Sequence, residues 1–267
     1  MNNEDLKKIY SIQKILEKNC YKDIQRISKE VLTYSTKNNI PLEKIFKEIQ
    51  TGKPWEYIQG FTEFCNYNFK VTKDTLIPRI ETENLVNITK EEIKKFQPTL
   101  VIDIGTGTGC IVISLAKIFK DLDIKFLATD ISKKALKVAK YNAKSLKAKN
   151  ISFKKYNLIK DISPKEKFCV VTNLPYIPTK QYEGLDISVK DFEPKLALEG
   201  GENGLELYEE LFKQVSCLEN KPLFISFEFE PSTEKDLEKL VEKYFKNSNY
   251  TFKTDCFNKE RFLVIYP

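Results

Sequence analysis

The sequence predicts an α/β fold, a mostly parallel sheet wrapped in helices and preceded by a small all-α bundle and a β-hairpin. Three observations carry that expectation. Apolar residues recur at helical intervals through the first sixty positions, a glycine-rich turn directly follows an apolar strand, and from about Leu85 buried strands alternate with amphipathic helices. A length of 267 residues allows one large domain or two ordinary ones.

The first helical stripes are Leu6, Ile9, Ile12, Ile15 and Leu16, then Ile24, Ile27, Val31 and Leu32, then Leu42, Ile45, Phe46 and Ile49. They predict three or four short helices over residues 1–60. Pro41 suits a first helical turn, and Gly52 followed by Pro54 is a stop signal. Alternation in Phe61, Glu63, Phe64, Tyr67, Phe69 and Val71 around Asn66 predicts a hairpin, so residues 61–84 are expected to join two domains. Strands are expected at Leu100–Ile104, Lys125–Thr129, Ile151–Tyr156, Val170–Thr172 and Leu223–Glu228, with helices Cys110–Phe119 and Ser132–Ala148 between the first three. A final pair, Tyr250–Asp255 and Arg261–Tyr266, is close enough in sequence to form a hairpin at the sheet edge of a domain spanning 85–267.

Composition narrows the chemistry. Hydrophobic residues at 41% against 31% charged exclude wholesale disorder. Histidine is absent, which excludes a Ser-His-Asp triad, a Cys-His dyad and HExxH zinc chemistry. The net charge of +6 is dispersed and names no partner. Six cysteines, Cys20, Cys65, Cys110, Cys169, Cys217 and Cys256, include no CxxC pair, so no metal set and no disulfide framework is expected, and the thiols are read as reduced and mostly buried. The opening MNNEDLKKIY has no apolar core, and no stretch is long and apolar enough for a membrane span. A soluble, cytoplasmic chain without a membrane partner is the expectation.

Val101-Ile102-Asp103-Ile104-Gly105-Thr106-Gly107-Thr108-Gly109 is an apolar strand that ends in an acid and a glycine turn, with a helix directly after. Glycines let a ligand approach bare backbone beside a helix N-terminus, although a turn of this kind can also be purely structural. It is neither the nicotinamide fingerprint nor a P-loop, because Cys110 and Val112 break the one and no Gly-Lys-Ser/Thr makes the other. About twenty residues on, the next strand ends at Asp130, placed to accept hydrogen bonds from ribose hydroxyls; an N-cap region before Ser132 is the competing reading. Asn157 and Leu158 end a third strand and suit the edge and face of an adenine, or a plain strand-to-loop junction. After the fourth strand come Asn173-Leu174-Pro175-Tyr176. Asn173 offers an amide oxygen, Leu174 a backbone carbonyl, Pro175 a restricted backbone and Tyr176 a flat face for a planar substrate group.

These features together resemble the class I S-adenosylmethionine-dependent methyltransferases, whose Rossmann-like sheet has seven strands. More narrowly, Leu76-Ile77-Pro78-Arg79-Ile80-Glu81-Thr82-Glu83 resembles the signature of the HemK/PrmC family of release-factor glutamine N5-methyltransferases. Further matches are Trp55-Glu56-Tyr57-Ile58-Gln59-Gly60, Glu193-Pro194-Lys195-Leu196-Ala197-Leu198-Glu199-Gly200-Gly201 through Gly204-Leu205, and Arg261. The resemblance implies that Asp103, Gly105, Thr106, Gly107, Thr108, Gly109, Asp130, Ile131, Asn157, Leu158 and Asn173 hold S-adenosylmethionine. It further implies that Asn173, Leu174, Pro175 and Tyr176 hold the glutamine amide of a Gly-Gly-Gln motif in a peptide chain release factor. Residues 1–60 would recognise that protein substrate. Two departures stand out: the family usually has Pro where this chain has Leu174, and Glu228-Phe229-Glu230-Pro231 replaces a more usual Glu-Ile-Gly.

An amide nitrogen is a poor nucleophile because its lone pair is delocalised. Two fixed acceptors, Asn173 Oδ1 and the Leu174 carbonyl, would bind both N–H groups and stabilise positive charge developing on nitrogen, so no strong general base is needed. The competing enzymatic reading is adenine N6 methylation of RNA or DNA, since an Asn-Leu-Pro-Tyr sequence also occurs among rRNA adenine dimethyltransferases. The Leu-Ile-Pro-Arg and Gly-Gly segments argue against it, and no stable nucleic-acid partner is expected. A catalytically idle adaptor is a third reading, which the intact Asn173 and Tyr176 oppose.

Overall fold

The computed structural model describes residues 3–160, 162–255 and 258–267. Four helices open the chain, α1 (Asn3–Lys18), α2 (Ile24–Asn38), α3 (Leu42–Ile49) and α4 (Trp55–Gln59), and a hairpin of β1 (Phe61–Phe64) and β2 (Tyr67–Lys70) follows. Helix α5 (Thr82–Phe96) leads into β3 (Leu100–Ile104), α6 (Cys110–Ile118), β4 (Lys125–Asp130), α7 (Lys133–Ser145), β5 (Ile151–Lys155) and β6 (Phe168–Thr172). Short elements come next, β7 (Ile177–Pro178), α8 (Thr179–Tyr182), α9 (Ile187–Lys190) and β8 (Glu199–Gly201). The chain then forms α10 (Glu206–Ser216), β9 (Ile225–Glu228), α11 (Glu234–Tyr244), β10 (Asn249–Thr254) and β11 (Glu260–Tyr266). Among the described residues no helix is long and apolar enough to cross a membrane.

The chain divides into two compact units. The smaller comprises the chain up to Phe61 with Leu185–Phe192. Helices this short are marginal alone, so the burial of one stripe from each holds them together. Ile12 and Leu16, Ile27 and Val31, Ile45 and Ile49, and Trp55 form a single core. The Trp55 indole N–H, which burial would otherwise orphan, donates to Glu30 Oε2 at 2.7 Å, and Tyr34 meets the ring edge-on at 5.6 Å. Leu6, counted in the first stripe, is half exposed.

The larger unit, Thr62–Gly184 with Glu193–Pro267, contains a seven-stranded sheet in the order β10-β11-β9-β6-β3-β4-β5. From β9 to β5 neighbouring strands run parallel, while β11 pairs antiparallel with both β9 and β10. Strands β6 and β9 are buried at every position, as strands covered on both faces must be. Helix α6, Cys-Ile-Val-Ile-Ser-Leu-Ala from its start, is buried on all sides, whereas α7 turns a lysine-rich face outward and is capped by Ser132, whose Oγ accepts the Ala135 N–H at 3.2 Å. The hairpin contributes Phe64 and Phe69 to the same core as α5 and α6. Buried Asn142 on α7 ties β2 to the glycine turn, since Nδ2 donates to the Lys70 and Thr108 carbonyls and Oδ1 accepts the Lys70 N–H at 2.8 Å.

The expected strands and both expected helices are present, with no end displaced by more than three residues. Helices α5, α10 and α11 appear where no separate helix was expected. The cysteines need correction: Cys110 and Cys169 are buried, Cys65 is half-buried, and Cys20 and Cys217 are exposed at the ends of α1 and α10, where the chain leaves its packed face. All five are free thiols, and Cys256 lies outside the described residues.

Chain order makes β3 the point where the sheet reverses direction of growth: β4 and β5 add on one side, β6 and β9 on the other. A crevice must open there beyond the carboxyl ends of β3 and β6. Asp103, next to last in β3, is wholly buried, with Oδ2 accepting the Thr106 hydroxyl at 2.6 Å. Burial, with a further push from the charge of Asp130, raises its carboxyl to about 7. The folded state therefore binds a proton that the unfolded state releases near pH 4, so this residue's contribution to stability declines as pH rises from about 4 to 7. Denaturant unfolding at several pH values in that interval should show a flatter pH dependence for Asp103→Asn than for the native chain; parallel curves would contradict the raised proton affinity.

Candidate active site

The crevice is lined by three groups of residues that lie far apart in sequence. One is the turn after β3. Gly105, Gly107 and Gly109 all have φ between 54 and 80°, a left-handed region in which side chains are strained. That backbone brings the chain sharply from β3 into α6, with the Thr106 N–H on the Thr129 carbonyl at 2.9 Å.

Asp130, at the end of β4, braces this turn. Its Oδ2 accepts the Gly107 N–H at 3.0 Å and its Oδ1 accepts the Ser132 N–H at 2.8 Å. Burial raises its carboxyl above the ordinary value against the pull of those backbone donors. Asp130 lines the crevice together with Ile131, Ser132 and Ala135, and its carboxylate has capacity to accept further hydrogen bonds. The N-cap of α7 is Ser132 and not Asp130. Beyond β5, Asn157 is exposed and Leu158 is buried with φ 56°, and both line the crevice.

The second group follows β6. Asn173 directs its amide nitrogen away from solvent, onto Thr82 Oγ1 and Glu228 Oε2 at 3.1 Å each. Oδ1 takes no hydrogen bond from the described residues, and Asn173 lines the crevice together with Leu174 and Pro175. Glu228, the last residue of β9, is 1% exposed. Its carboxylate also accepts the Thr82 hydroxyl at 2.7 Å and the Tyr176 hydroxyl at 2.8 Å. Burial pushes the Glu228 carboxyl upward, opposed by those hydroxyls and by the charge of Arg261, which itself pairs with buried Asp255 at 3.0 Å. The Tyr208 hydroxyl donates to the Glu228 carbonyl and accepts the Leu174 N–H at 3.2 Å.

The third group explains two segments whose chemistry the sequence left unassigned. Glu193, 4% exposed, pairs with Arg79 and accepts the Ile77 N–H at 3.0 Å, so the Leu76–Glu83 and Glu193–Gly201 segments are clamped together at the crevice wall. The glycines after Glu193 let the backbone lie flat on the Pro175–Tyr176 strip: a Cβ on Gly200 would stand 2.5 Å from the Pro175 carbonyl oxygen, and one on Gly204 would collide with that of Tyr176. Strands β7 and β8 pair at the same place, with the Ile177 N–H on the Leu198 carbonyl.

Of the residues singled out from the sequence, Gly105, Thr106, Gly107, Thr108, Asp130, Ile131, Asn157, Leu158, Asn173, Leu174 and Pro175 line this one crevice. Asp103 lies beneath it, Gly109 is the N-cap of α6, and Tyr176 points its hydroxyl at Glu228. Thr82, Glu193 and Glu228 stood in the quoted segments without a role of their own, and Tyr208 was not singled out. An acid closing a mostly apolar strand, Leu223 to Glu228, was the available signal for Glu228.

Comparison with known proteins agrees with this geometry. A family model described as a methyltransferase domain matches residues 96–190. The release factor glutamine methyltransferase of Bacillus cereus is 35% identical over 227 residues, which are 82% of this chain and 78% of the relative. That of Flavobacterium psychrophilum is 34% identical over 232 residues, 84% and 79% of the two chains. Among solved structures, the hMettl16 catalytic domain matches with a TM-score of 0.58 at 18% identity over 74% of each chain. A human methyltransferase 10 domain containing protein matches at 0.53 and 16%, over 75% of this chain and 88% of that one. At such identities the structural likeness speaks for the fold, a class I Rossmann-like sheet. The sequence relatives speak for more: the chain belongs to the release factor glutamine methyltransferase family and is a methyltransferase.

Proposed function

We propose that this enzyme transfers a methyl group from S-adenosylmethionine to the side-chain amide nitrogen of the glutamine in the Gly-Gly-Gln motif of peptide chain release factors. One observation carries the reading. Asn173 has its amide nitrogen tied down by Thr82 and Glu228 and its oxygen turned to the crevice, beside the residue whose carbonyl is the other proposed acceptor. An acceptor pair suits a substrate that offers two N–H bonds, as a primary amide does.

The residues of the crevice fit the cofactor. The glycine turn leaves backbone bare where side chains would stand, and the Asp130 carboxylate is a charged acceptor at the end of the next strand, suited to vicinal hydroxyls. Leu158 supplies an apolar face and Asn157 a polar edge for a purine, with Ile131 beside Asp130. When bound, S-adenosylmethionine supplies an electrophilic methyl group on a sulfonium.

Asn173 Oδ1 and the Leu174 carbonyl would each accept one N–H of the glutamine amide. Drawing both N–H bonds to one side favours a pyramidal nitrogen and frees its lone pair. Both acceptors gain strength as positive charge develops on that nitrogen, the counterpart of an oxyanion hole with reversed sign. Fixed alignment of the reacting groups contributes further, up to about 7–11 kcal/mol for well-aligned groups. The proton lost afterwards needs no strong base, in keeping with a chain without histidine. The helical unit is proposed to recognise the surrounding release factor.

Asp130→Ala should weaken S-adenosylmethionine binding by about 1.5–3 kcal/mol in calorimetry, the usual worth of a hydrogen bond to a charged group. Unchanged affinity in a folded variant would take Asp130 out of the cofactor site. Asn173→Ala should hold the cofactor nearly as well and lose about 10²–10³ in single-turnover rate, the scale on which one oriented polar group matters to a charged transition state. Near-native turnover would defeat the two-acceptor mechanism. The substrate itself is decided by mass spectrometry: purified release factor incubated with enzyme and labelled cofactor should gain one methyl on the glutamine. Label in rRNA or DNA adenine with that glutamine unmodified would favour the adenine reading instead.

A further inference from the structure

Both proposed acceptors hang on the same residue of β9. The Glu228 carboxylate takes three donors, the Thr82 hydroxyl at 2.7 Å, the Tyr176 hydroxyl at 2.8 Å and the Asn173 amide at 3.1 Å. Its backbone carbonyl takes a fourth, the Tyr208 hydroxyl, whose oxygen holds the Leu174 N–H. Thr82, Tyr208 and Glu228 are all at most 3% exposed, so water cannot substitute for any of these partners.

An asparagine amide is nearly symmetric in shape, and only its neighbours decide which end faces a ligand. A carboxylate offers acceptors alone, so Asn173 must present its NH₂ to Glu228 and its oxygen to the crevice. Leu174 is held on both sides: its N–H by Tyr208, and the peptide that follows by the ring of Pro175. A proline at position 174 would have no N–H to give, so the Tyr208 contact is a tether that only a non-proline residue can use.

We propose that Glu228 and Tyr208 form a positioning frame for methyl transfer, Glu228 fixing which end of the Asn173 amide faces the substrate and Tyr208 fixing the backbone at Leu174. The inference rests on the reading of Asn173 and Leu174 as substrate acceptors given above. Neither frame residue touches the reacting atoms. Their removal therefore acts on turnover, leaving cofactor affinity and substrate KM close to native.

The test uses the full chain with whole release factor, comparing the native enzyme with Asn173→Ala, Glu228→Gln, Tyr208→Phe, Leu174→Pro and the Tyr208→Phe/Leu174→Pro double variant. Glutamine at 228 keeps the shape but adds a donor, which lets the Asn173 amide turn over. It should retain a cooperative melting transition, cofactor affinity and KM while kcat falls at least about 30-fold. Tyr208→Phe should lower kcat about tenfold with leucine at 174 and less than about twofold with proline there, a coupling that a merely structural role of the hydroxyl would not produce. A kcat for Glu228→Gln within threefold of native, or equal losses for Tyr208→Phe in both backgrounds, overturns the frame. Should Tyr208→Phe or the proline variant not fold, the Glu228→Gln comparison decides alone. An inactive native enzyme, or an active Asn173→Ala, would instead overturn the function reading itself, so the two failures are told apart.

Discussion

A carboxylate sealed at the inner end of β9 has to be met by donors, and where those donors come from organises half of the crevice. Glu228 draws Thr82 from the first turn of α5, Asn173 and Tyr176 from the loop after β6, and through its carbonyl Tyr208 from α10. In the sheet it stands opposite Phe262 of β11. Burying an acid costs free energy unless it is paired or hydrogen-bonded. Here that requirement is converted into geometry, because each donor that satisfies it also fixes a loop.

The other half depends on backbone rather than on a buried charge. Three left-handed glycines turn β3 into α6, and Asp130 reaches across from β4 to hold the middle of the turn by its Gly107 N–H. Asn142 anchors the far end of that turn to the hairpin through Thr108. A turn braced from two neighbouring elements presents its surface to a ligand without first having to order it, so little binding energy is lost to rearrangement.

Local patterns in the sequence reveal the fold to within a few residues at most strand ends. Mostly apolar runs such as Val101–Ile104 and Val170–Thr172 identify buried strands, and the glycine turn and Asp130 mark the side of the sheet where the crevice opens. Residues beside one another in the chain, such as Asn173 and Pro175, were legible for the same reason. What escaped notice is long-range pairing. Thr82 and Glu228 are 146 positions apart, Arg79 and Glu193 are 114 apart, and nothing in one segment announces its partner in the other. Tyr176 shows the same limit: its ring suggests a stacking surface, while its hydroxyl is committed to a carboxylate 52 positions away.

The two halves of the crevice differ in how they are encoded. Everything on the glycine side, from Gly105 to Leu158, comes from one continuous stretch that builds β3, β4 and β5 with α6 and α7. Strands β3, β4 and β5 pair within that stretch, and less chain must be closed to join them than to bring Thr82 to Glu228. The Asn173 side draws its hydrogen bonds from Thr82, Asn173, Leu174, Tyr176, Tyr208 and Glu228, over separations of 20 to 146 positions. A substitution at Thr82, Asn173 or Tyr176 therefore changes hydrogen bonds of that side while removing none of those that hold the glycine turn, Gly107 to Asp130 and Thr108 to Asn142.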